Sequence, residues 1–196
     1  MSTDMVLASS KVKPELCRLL REKLQESSSR HVTELISLKS DVRIEKLLKD
    51  AADKGARIHS ASKGRRTELQ VVENCDGPVT YRHGTIIENV TPQMEFWEQE
   101  SFGPLVGITT CESFDEAVRI VNACPYGLSA AIFSKAGVAV VDQARRLQVG
   151  AVHINGATVH DEPNLPHGGC RESGWGRFGG HWALEEFVQT QTVIVN

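Results

Sequence analysis

Four side chains that could take part in acid–base or nucleophilic chemistry are candidates in one stretch near the C-terminal end of the chain, GAVHINGATVHDEPNLPHGGCRESGWGR. They are His160, Asp161, His167 and Cys170. A histidine near a carboxylate can act as a general acid or base, and a cysteine beside a cation such as Arg171 can be a nucleophile. The structural alternative is that the histidines pack as aromatic rings and the cysteine fills a turn. The residue types alone leave both alternatives open, although so many glycines and prolines after an apolar strand are a poor choice for stability alone.

A second candidate is the stretch EQESFGP, in which Glu100 and Phe102 come just before a Gly-Pro turn. The turn leads into an apolar strand. Loops at strand ends are where parallel sheets usually meet their ligands. The structural alternative is a solvated glutamate and a core phenylalanine.

The elements that must position these residues alternate in the second half of the chain. Strands are predicted at LVGITT from Leu105, LSAAIFS from Leu128 and AVHI from Ala151, with helices between them from Ser113 and Gly137. Apolar strands of this kind are typical of a parallel sheet that is covered by helices on both faces. The predicted fold class is therefore α/β, with three layers and a mostly parallel sheet.

The first half is predicted to add two amphipathic helices, from Lys13 and from Ser40, and short strands at ARIH and at TIIENV. The residues predicted to face inward are Val42, Leu47, Leu48, Ala51 and Ala52 in the second helix and Val138, Val141, Ala144 and Leu147 in the helix from Gly137. The polar segment 60–83 has no clear period and is predicted to be a long excursion.

Composition excludes several classes of function. The chain has 196 residues and a net charge of −3 with mixed signs, so it lacks the basic stripe that nucleic-acid binding needs. Five cysteines without metal-ligand spacing argue against a disulfide framework or a zinc site and favour the cytosol. No apolar run is long enough to predict a membrane span.

The motifs resemble the C-terminal third of the aldehyde dehydrogenase superfamily. In order, they are E-x-F-G-P, PYGLSAAIF, G-x-V-x-I-N, P-x-GG-x-x-x-SG-x-GR, EEF and a terminal T-x-T-V. The loops are most similar to the branch that acts on aromatic aldehydes. The resemblance implies the fold of the aldehyde dehydrogenase catalytic domain, with 1–189 as a truncated catalytic domain and 190–196 as a C-terminal pairing strand.

The start of the chain, MSTDMVLASSKV, looks like the strand that immediately follows the catalytic cysteine of that family. The resemblance then implies that the cysteine, the oxyanion-hole asparagine, the glutamate base and the Rossmann domain would precede Met1. No G-x-G-x-x-G fingerprint occurs between a strand and a helix. We therefore expect no cofactor, no metal and no complete aldehyde dehydrogenase activity from this chain alone.

The resemblance also assigns a substrate side. Asn155 matches an asparagine that supports the active-site region, and the loop 156–167 should line the aldehyde tunnel. The predicted substrate-binding residues are Asn155, Thr158 and Trp175. Trp175 can equally be core or tunnel wall.

The family often has a phenylalanine at the position of His167. A histidine there would place a hydrogen-bond donor where an apolar ring usually contacts substrate. The predicted catalytic residues are accordingly His167, His160 and Asp161. Glu100 and Phe102 match the residues that hold the nicotinamide ribose and ring, and we predict them to be vestigial cofactor positions.

Three functions follow from these expectations. The first is a cofactor-independent enzyme that uses the retained carbonyl pocket for isomerisation or for cyclisation, including pericyclic cyclisation, in specialised metabolism. The second is a complementing or regulatory subunit of an NAD-dependent aldehyde dehydrogenase, and the third is an inactive fragment of one. The expected ligand is a small carbonyl compound. The terminal strand, which lacks a partner strand in this chain, predicts a homodimer.

Overall fold

A computed structural model of the chain describes residues 3–27, 32–61, 72–74 and 77–196. These residues form two compact units, Thr3–Phe114 and Asp115–Asn196.

The first unit is built on a four-stranded sheet. Its strands are β1 (Met5–Ser9), β3 (Arg57–Ser60), β6 (Thr85–Glu88) and β7 (Leu105–Cys111), in the spatial order β1-β7-β6-β3. β7 is parallel to both β1 and β6, and only the edge strand β3 is antiparallel. All four residues of β6 are buried, as expected for a central strand between covering layers. The predicted α/β class with mostly parallel strands is confirmed.

Two helices cover this sheet as the sequence predicts. α1 (Lys13–Ser27) packs Leu16 and Leu20 around a buried cluster that includes Ile108. α2 (Leu38–Asp53) begins after Ser37, whose hydroxyl accepts a hydrogen bond from the amide of Ser40.

The buried stripe of α2 differs in part from the prediction. It consists of Asp41, Ile44, Leu47 and Ala51. Val42 was predicted to face inward but is 69% exposed, because the stripe is centred on Ile44 instead.

Three strands of the first unit lie in or beside regions that the sequence left without regular structure. They are β2 (Val32–Leu35), β4 (Val72–Asn74) and β5 (Gly77–His83), in the order β2-β5-β4. Much of the segment 60–83, which was predicted to be a long excursion, therefore forms β-strands. The remainder of that segment, 62–71 and 75–76, lies outside the described residues.

The second unit contains the other half of the predicted alternation. Its elements are α3 (Phe114–Ala123), β8 (Tyr126–Gly127), β9 (Ser129–Ile132), α4 (Val141–Ala144), β10 (Ala151–Ile154), β11 (Cys170–Arg171) and α5 (Gly180–Phe187). β9 and β10 are parallel, whereas β8 and β11 are antiparallel.

The predicted helix from Gly137 is shorter and more exposed than its sequence pattern indicates. Residues 137–140 form a 3-10 turn before the single turn of α4, and Val138 is 86% exposed. Ala144 and Leu147 are buried as predicted. β9 and β10 are half-buried rather than fully covered.

The C-terminal segment 188–196 has no secondary structure and is exposed. That residues 190–196 form a pairing strand therefore stays a prediction, and it concerns a complex with another chain. Within the described residues, no helix has the length and apolarity needed to cross a membrane.

Candidate functional site

The candidate loop begins immediately after β10 with Asn155. This residue lies in the left-handed region, at φ 55°, which asparagine tolerates better than most residues. Its side-chain oxygen accepts a hydrogen bond from the amide of Ser134 at 2.8 Å, and its Nδ2 donates to the carbonyl of Ser134 at 2.9 Å. Asn155 therefore holds the start of the loop against the segment that follows β9.

His167 is held by both its backbone and its ring. The backbone exchanges two hydrogen bonds with Phe178, at 2.7 and 2.8 Å. The imidazole lies 4.9 Å from the Phe178 ring, at an interplanar angle of 49°. Because only 19% of the side chain is exposed, the loop fixes the imidazole near its surface without covering it fully.

The imidazole of His167 also faces an acid. Its Nδ1 lies 3.6 Å from Oδ1 of Asp161, which is too long for a hydrogen bond but close enough for a charge interaction when the ring is protonated. No hydrogen bond to Nε2 of His167 is present among the described residues. The structure therefore brings two of the three predicted catalytic residues together.

The third predicted catalytic residue, His160, has a different partner. Its Nε2 lies 3.1 Å from Oε1 of Glu162, and its ring meets the edge of His153 at 6.3 Å. Thr158 contributes its backbone carbonyl, which accepts a 3.4 Å hydrogen bond from the hydroxyl of Ser129.

Trp175 is 96% exposed, so the structural alternative of a core residue is wrong. The SGWG turn contains two glycines with positive φ, Gly174 and Gly176, a conformation that glycine adopts readily. The indole of Trp175 projects from this turn into solvent. Contact of this indole with substrate stays a prediction.

Arg177 closes the glycine-rich part of the loop. Its Nη1 donates to the carbonyls of Gly169 and Gly176, at 2.8 and 2.6 Å. Arg177 therefore anchors the loop through two of its backbone carbonyls.

The cation that contacts the Cys170 thiol is Arg177, whose Nη2 lies 3.4 Å from Sγ. The sequence pointed to Arg171 instead. In the structure the Arg171 guanidinium donates to the carbonyls of Asn122 and Tyr126, at 2.8 and 2.5 Å. No histidine or carboxylate contacts Sγ in the described part of the chain, so Cys170 lacks the adjacent base of an activated nucleophile.

The paired glycines of PHGG are required by close backbone approach. A Cβ on Gly169 would lie 2.6 Å from the backbone carbon of Ser173. We expect Gly169→Ala to lower the free energy of unfolding by about 1–3 kcal/mol, because the backbone must move. Gly156→Ala in the same loop is the control, since the nearest atom to its Cβ is 3.9 Å away. Urea denaturation curves with equal midpoints for both variants would contradict this explanation.

The second candidate, the E-S-F turn, is organised around a fully buried serine. The hydroxyl of Ser101 donates to Asp4 Oδ1 at 3.2 Å and accepts from the amide of Gly103 at 3.3 Å. Glu100 is exposed on one side of it. Phe102, on the other side, is 73% exposed, so the alternative of a core phenylalanine is wrong.

Asp4 gives this turn a pH-sensitive contact. Burial raises the pKa of Asp4 above its ordinary value of 3.8, the hydrogen bond from Ser101 opposes the rise, and the charge of Glu100 adds to it. A carboxyl with a raised pKa stabilises the fold fully below its unfolded pKa, and this contribution is lost as the pH rises through the folded value.

Asp4→Asn should therefore gain stability relative to the natural protein as the pH rises from about 3.5 to 7. The asparagine oxygen can still accept the hydrogen bond from Ser101. Denaturation midpoints of both proteins at the two pH values measure the difference. A difference that does not change with pH would show that Asp4 has no raised pKa.

The described residues offer few other candidate sites for a metal ion or a small molecule. The described residues contain no group of three or more histidine, cysteine or acidic side chains arranged to hold a metal ion. Two open pockets of about 260 and 240 Å³ lie in the first unit. Their linings, 21–25 with 58–60 and 92–99, include none of the predicted site residues.

Sequence reasoning missed three residues that shape these candidates. Phe178 holds His167, Arg43 donates from Nη2 to the carbonyl of Ser101 at 2.6 Å, and Asp4 accepts a hydrogen bond from the hydroxyl of Ser101. Phe178 and Arg43 act through contacts with residues distant in sequence, which no local pattern reveals. In the sequence, Asp4 is noticeable only as an acidic residue in the strand predicted at the start of the chain.

Comparison with known proteins identifies the family of the chain. The model of the aldehyde dehydrogenase family matches residues 1–193. Benzaldehyde dehydrogenase [NAD(+)] of Pseudomonas putida is 37% identical over 164 residues, which are 83% of this chain and 31% of that protein. Salicylaldehyde dehydrogenase of Pseudomonas sp. strain C18 is 29% identical over 203 residues, covering 100% of this chain and 39% of the relative.

A solved structure is similarly close. The crystal structure of salicylaldehyde dehydrogenase from Pseudomonas putida G7, complexed with salicylaldehyde, aligns with a TM-score of 0.78 and 28% identity over 93% of this chain and 37% of that chain. The chain thus spans about a third of the length of the relatives it matches. The family match covers nearly all of this sequence, and the chain belongs to the aldehyde dehydrogenase family.

Proposed function

We propose that the chain binds an aromatic or unsaturated aldehyde at the loop 156–180 and that His167 donates a hydrogen bond to its carbonyl oxygen. The observation that carries the proposal is the placement of His167, with Nδ1 facing Asp161 and the ring fixed against Phe178. Benzaldehyde, salicylaldehyde and vanillin dehydrogenases among the relatives support the aromatic class of ligand.

The chemistry that this arrangement supports needs no redox step. A hydrogen bond to the carbonyl oxygen draws electron density from the carbonyl carbon, which promotes isomerisation or cyclisation of an unsaturated substrate. The imidazole of His167 is positive before it gives a proton to the substrate or after it takes one from it. Asp161 stabilises this positive charge. The product has the same mass as the substrate.

The family also implies a bound dinucleotide. Residues in the described part of the chain fit only its nicotinamide and ribose end. The exposed carboxylate of Glu100 can accept a hydrogen bond from a ribose hydroxyl, and the exposed ring of Phe102 can pack on a nicotinamide. The chain contains no glycine fingerprint for the diphosphate. A bound NAD would accept a hydride from the substrate. We expect calorimetry on this chain alone to detect no saturable micromolar NAD binding.

A second candidate function is supported by the same E-S-F turn. An exposed aromatic ring in a strained backbone conformation is unusual, and strain of this kind clusters at ligand sites. The chain could then complement or regulate a polypeptide that supplies the cysteine nucleophile and the dinucleotide-binding fold.

Product mass separates the two candidates. Purified protein is incubated with benzaldehyde, salicylaldehyde, vanillin and unsaturated aldehydes, with and without NAD. A product of unchanged mass that forms without NAD supports the first function. An acid that forms only with NAD and an added full-length relative supports the second, and no conversion in any mixture contradicts both.

Location and assembly belong to the same proposal. Cysteines outside a disulfide, such as Cys17 and Cys124, suit the reducing cytosol. The apolar tail residues Val193, Ile194 and Val195 are 77–89% exposed, and pairing of this tail with a second copy would cover them. Light scattering at micromolar concentration should give the mass of a dimer, and a monomer mass would count against this assembly.

A further inference from the structure

Asn155 and Gly156 form the only Asn-Gly pair in the sequence. Asparagine before glycine is the pair most prone to spontaneous deamidation, because glycine has no side chain to shield the backbone nitrogen that attacks the asparagine carboxamide. No hydrogen bond engages the Gly156 amide among the described residues, and the nearest atom to a Cβ built on Gly156 is 3.9 Å away. The attacking nitrogen is therefore neither hydrogen-bonded nor crowded.

The carboxamide of Asn155 is held more firmly than the nitrogen that would attack it. It is joined to the backbone of Ser134 by the two hydrogen bonds described above, at 2.8 and 2.9 Å, which we call the clasp. Both bonds use the planar carboxamide. Attack on Cγ makes this carbon tetrahedral and moves Oδ1 and Nδ2 out of the plane that fits Ser134, so the clasp must open before the reaction can proceed.

The clasp cannot close again after deamidation. Aspartate has two acceptor oxygens and no donor, so the hydrogen bond to the carbonyl of Ser134 is lost and a carboxylate oxygen faces that carbonyl instead. Isoaspartate, the other product, also adds one carbon atom to the main chain between residues 155 and 156. Either product therefore detaches the start of the loop 156–167 from the segment that follows β9.

We propose that Asn155 is a site of spontaneous deamidation, that the clasp sets its rate, and that the reaction releases the loop 156–167 irreversibly. The deprotonated amide nitrogen of Gly156 bonds to Cγ of Asn155, the bond from Cγ to Nδ2 breaks, and ammonia leaves with a proton from solvent. Water then opens the succinimide at either carbonyl. The reaction needs only water and is independent of the aldehyde binding proposed for the same loop.

Asn122 is a matched internal control. Its Nδ2 donates to the carbonyl of Arg146 at 2.9 Å, and its side-chain oxygen accepts from the amide of Gln148 at 2.8 Å, so it has a clasp of the same kind. It differs from Asn155 in its successor, which is Ala123, the last residue of α3. A Cβ and a helical backbone then hinder the attack that glycine permits.

The test compares the chain in its folded state with the same chain denatured in guanidinium chloride. Both samples are kept at a mildly alkaline pH, digested at intervals, and analysed by mass spectrometry that separates asparagine, aspartate and isoaspartate. Deamidation at Asn155 should be about ten- to a hundredfold slower in the folded chain, the factor expected for opening two hydrogen bonds. In the folded chain it should still be faster than deamidation at Asn122.

Gly156→Ala should slow the reaction at Asn155 in both states, because the added Cβ shields the nitrogen while the loop has room for it. A rate that Gly156→Ala leaves unchanged would overturn the site. So would a folded-state rate at Asn155 no faster than at Asn122. Equal rates in the folded and denatured chains would overturn the role of the clasp.

Asn155→Asp imitates one product and tests the release. In hydrogen-exchange mass spectrometry, the amide of Ser134 should exchange about two- to tenfold faster in this variant than in the natural chain, as expected for the loss of one hydrogen bond. Asn122→Asp is the control, since it should leave exchange at Ser134 unchanged. Unchanged exchange at Ser134 in Asn155→Asp would show that the loop is not released and would overturn that part of the proposal.

Discussion

Arg82→Met is expected to lower the free energy of unfolding by about 3–5 kcal/mol, the cost of removing one partner from a buried ion pair. Arg82 lies on β5, and its Nε donates to Oδ1 of Asp41 on α2. The two side chains are 11% and 9% exposed. The variant therefore leaves the carboxylate of Asp41 in a place that water hardly reaches.

Arg18 is the matched control for this variant. Arg82 pairs with the exposed Glu45 as well as with Asp41, and Arg18 likewise contacts two carboxylates, Glu15 and Glu22, but the Arg18 side chain is 49% exposed. Surface pairs of this kind contribute about 0–1 kcal/mol, so Arg18→Met should change stability little. The double variant Asp41→Leu with Arg82→Met should recover much of the loss. Equal urea midpoints for Arg82→Met and Arg18→Met would show that the pair is not effectively buried.

His167→Phe is expected to reduce the rate of the non-redox reaction by about ten- to a thousandfold while leaving the fold intact. Phenylalanine keeps a ring against Phe178 and the backbone bridge, and removes only the hydrogen-bond donor. The measurement is turnover of whichever aldehyde is converted at unchanged mass. Circular dichroism checks the fold.

The companion variants separate the roles within the loop. Asp161→Asn should lower the rate less than His167→Phe, because Asp161 acts only through the charge on the imidazole. His160→Ala should have a small effect, since His160 pairs with Glu162. Cys170→Ser should be nearly silent. Full activity in His167→Phe together with inactive Cys170→Ser would assign the chemistry to the thiol.

The strands and helices with strong periodicity were predictable from sequence. TIIENV and LVGITT are rich in apolar and β-branched residues and became β6 and β7, because central strands of a parallel sheet are largely buried on both faces. β5 was missed because its sequence GPVTYRH is polar. Its Arg82 is stabilised by a charge on α2, a contact distant in sequence that no pattern of apolar residues reveals.

The candidate site was predictable in its residue types but not in its pairings. Sequence indicated His160, Asp161 and His167 as one group, and the structure pairs His167 with Asp161 and His160 with Glu162. The difference arises because the bridge between His167 and Phe178 folds the loop back on itself. Sequence spacing cannot specify such a bridge in a loop rich in glycine and proline.

The most direct test of the proposed carbonyl site is the response of the His167 imidazole to an aromatic carbonyl compound. Acetophenone, a ketone that forms imines with lysine less readily than aldehydes do, is titrated into 15N-histidine-labelled protein, with ethylbenzene as the control ligand. We predict a saturable shift of the Nε2 signal of His167 with acetophenone, little shift with ethylbenzene, and smaller changes at His160. Binding of acetophenone that leaves the His167 signals unchanged would contradict the proposed site.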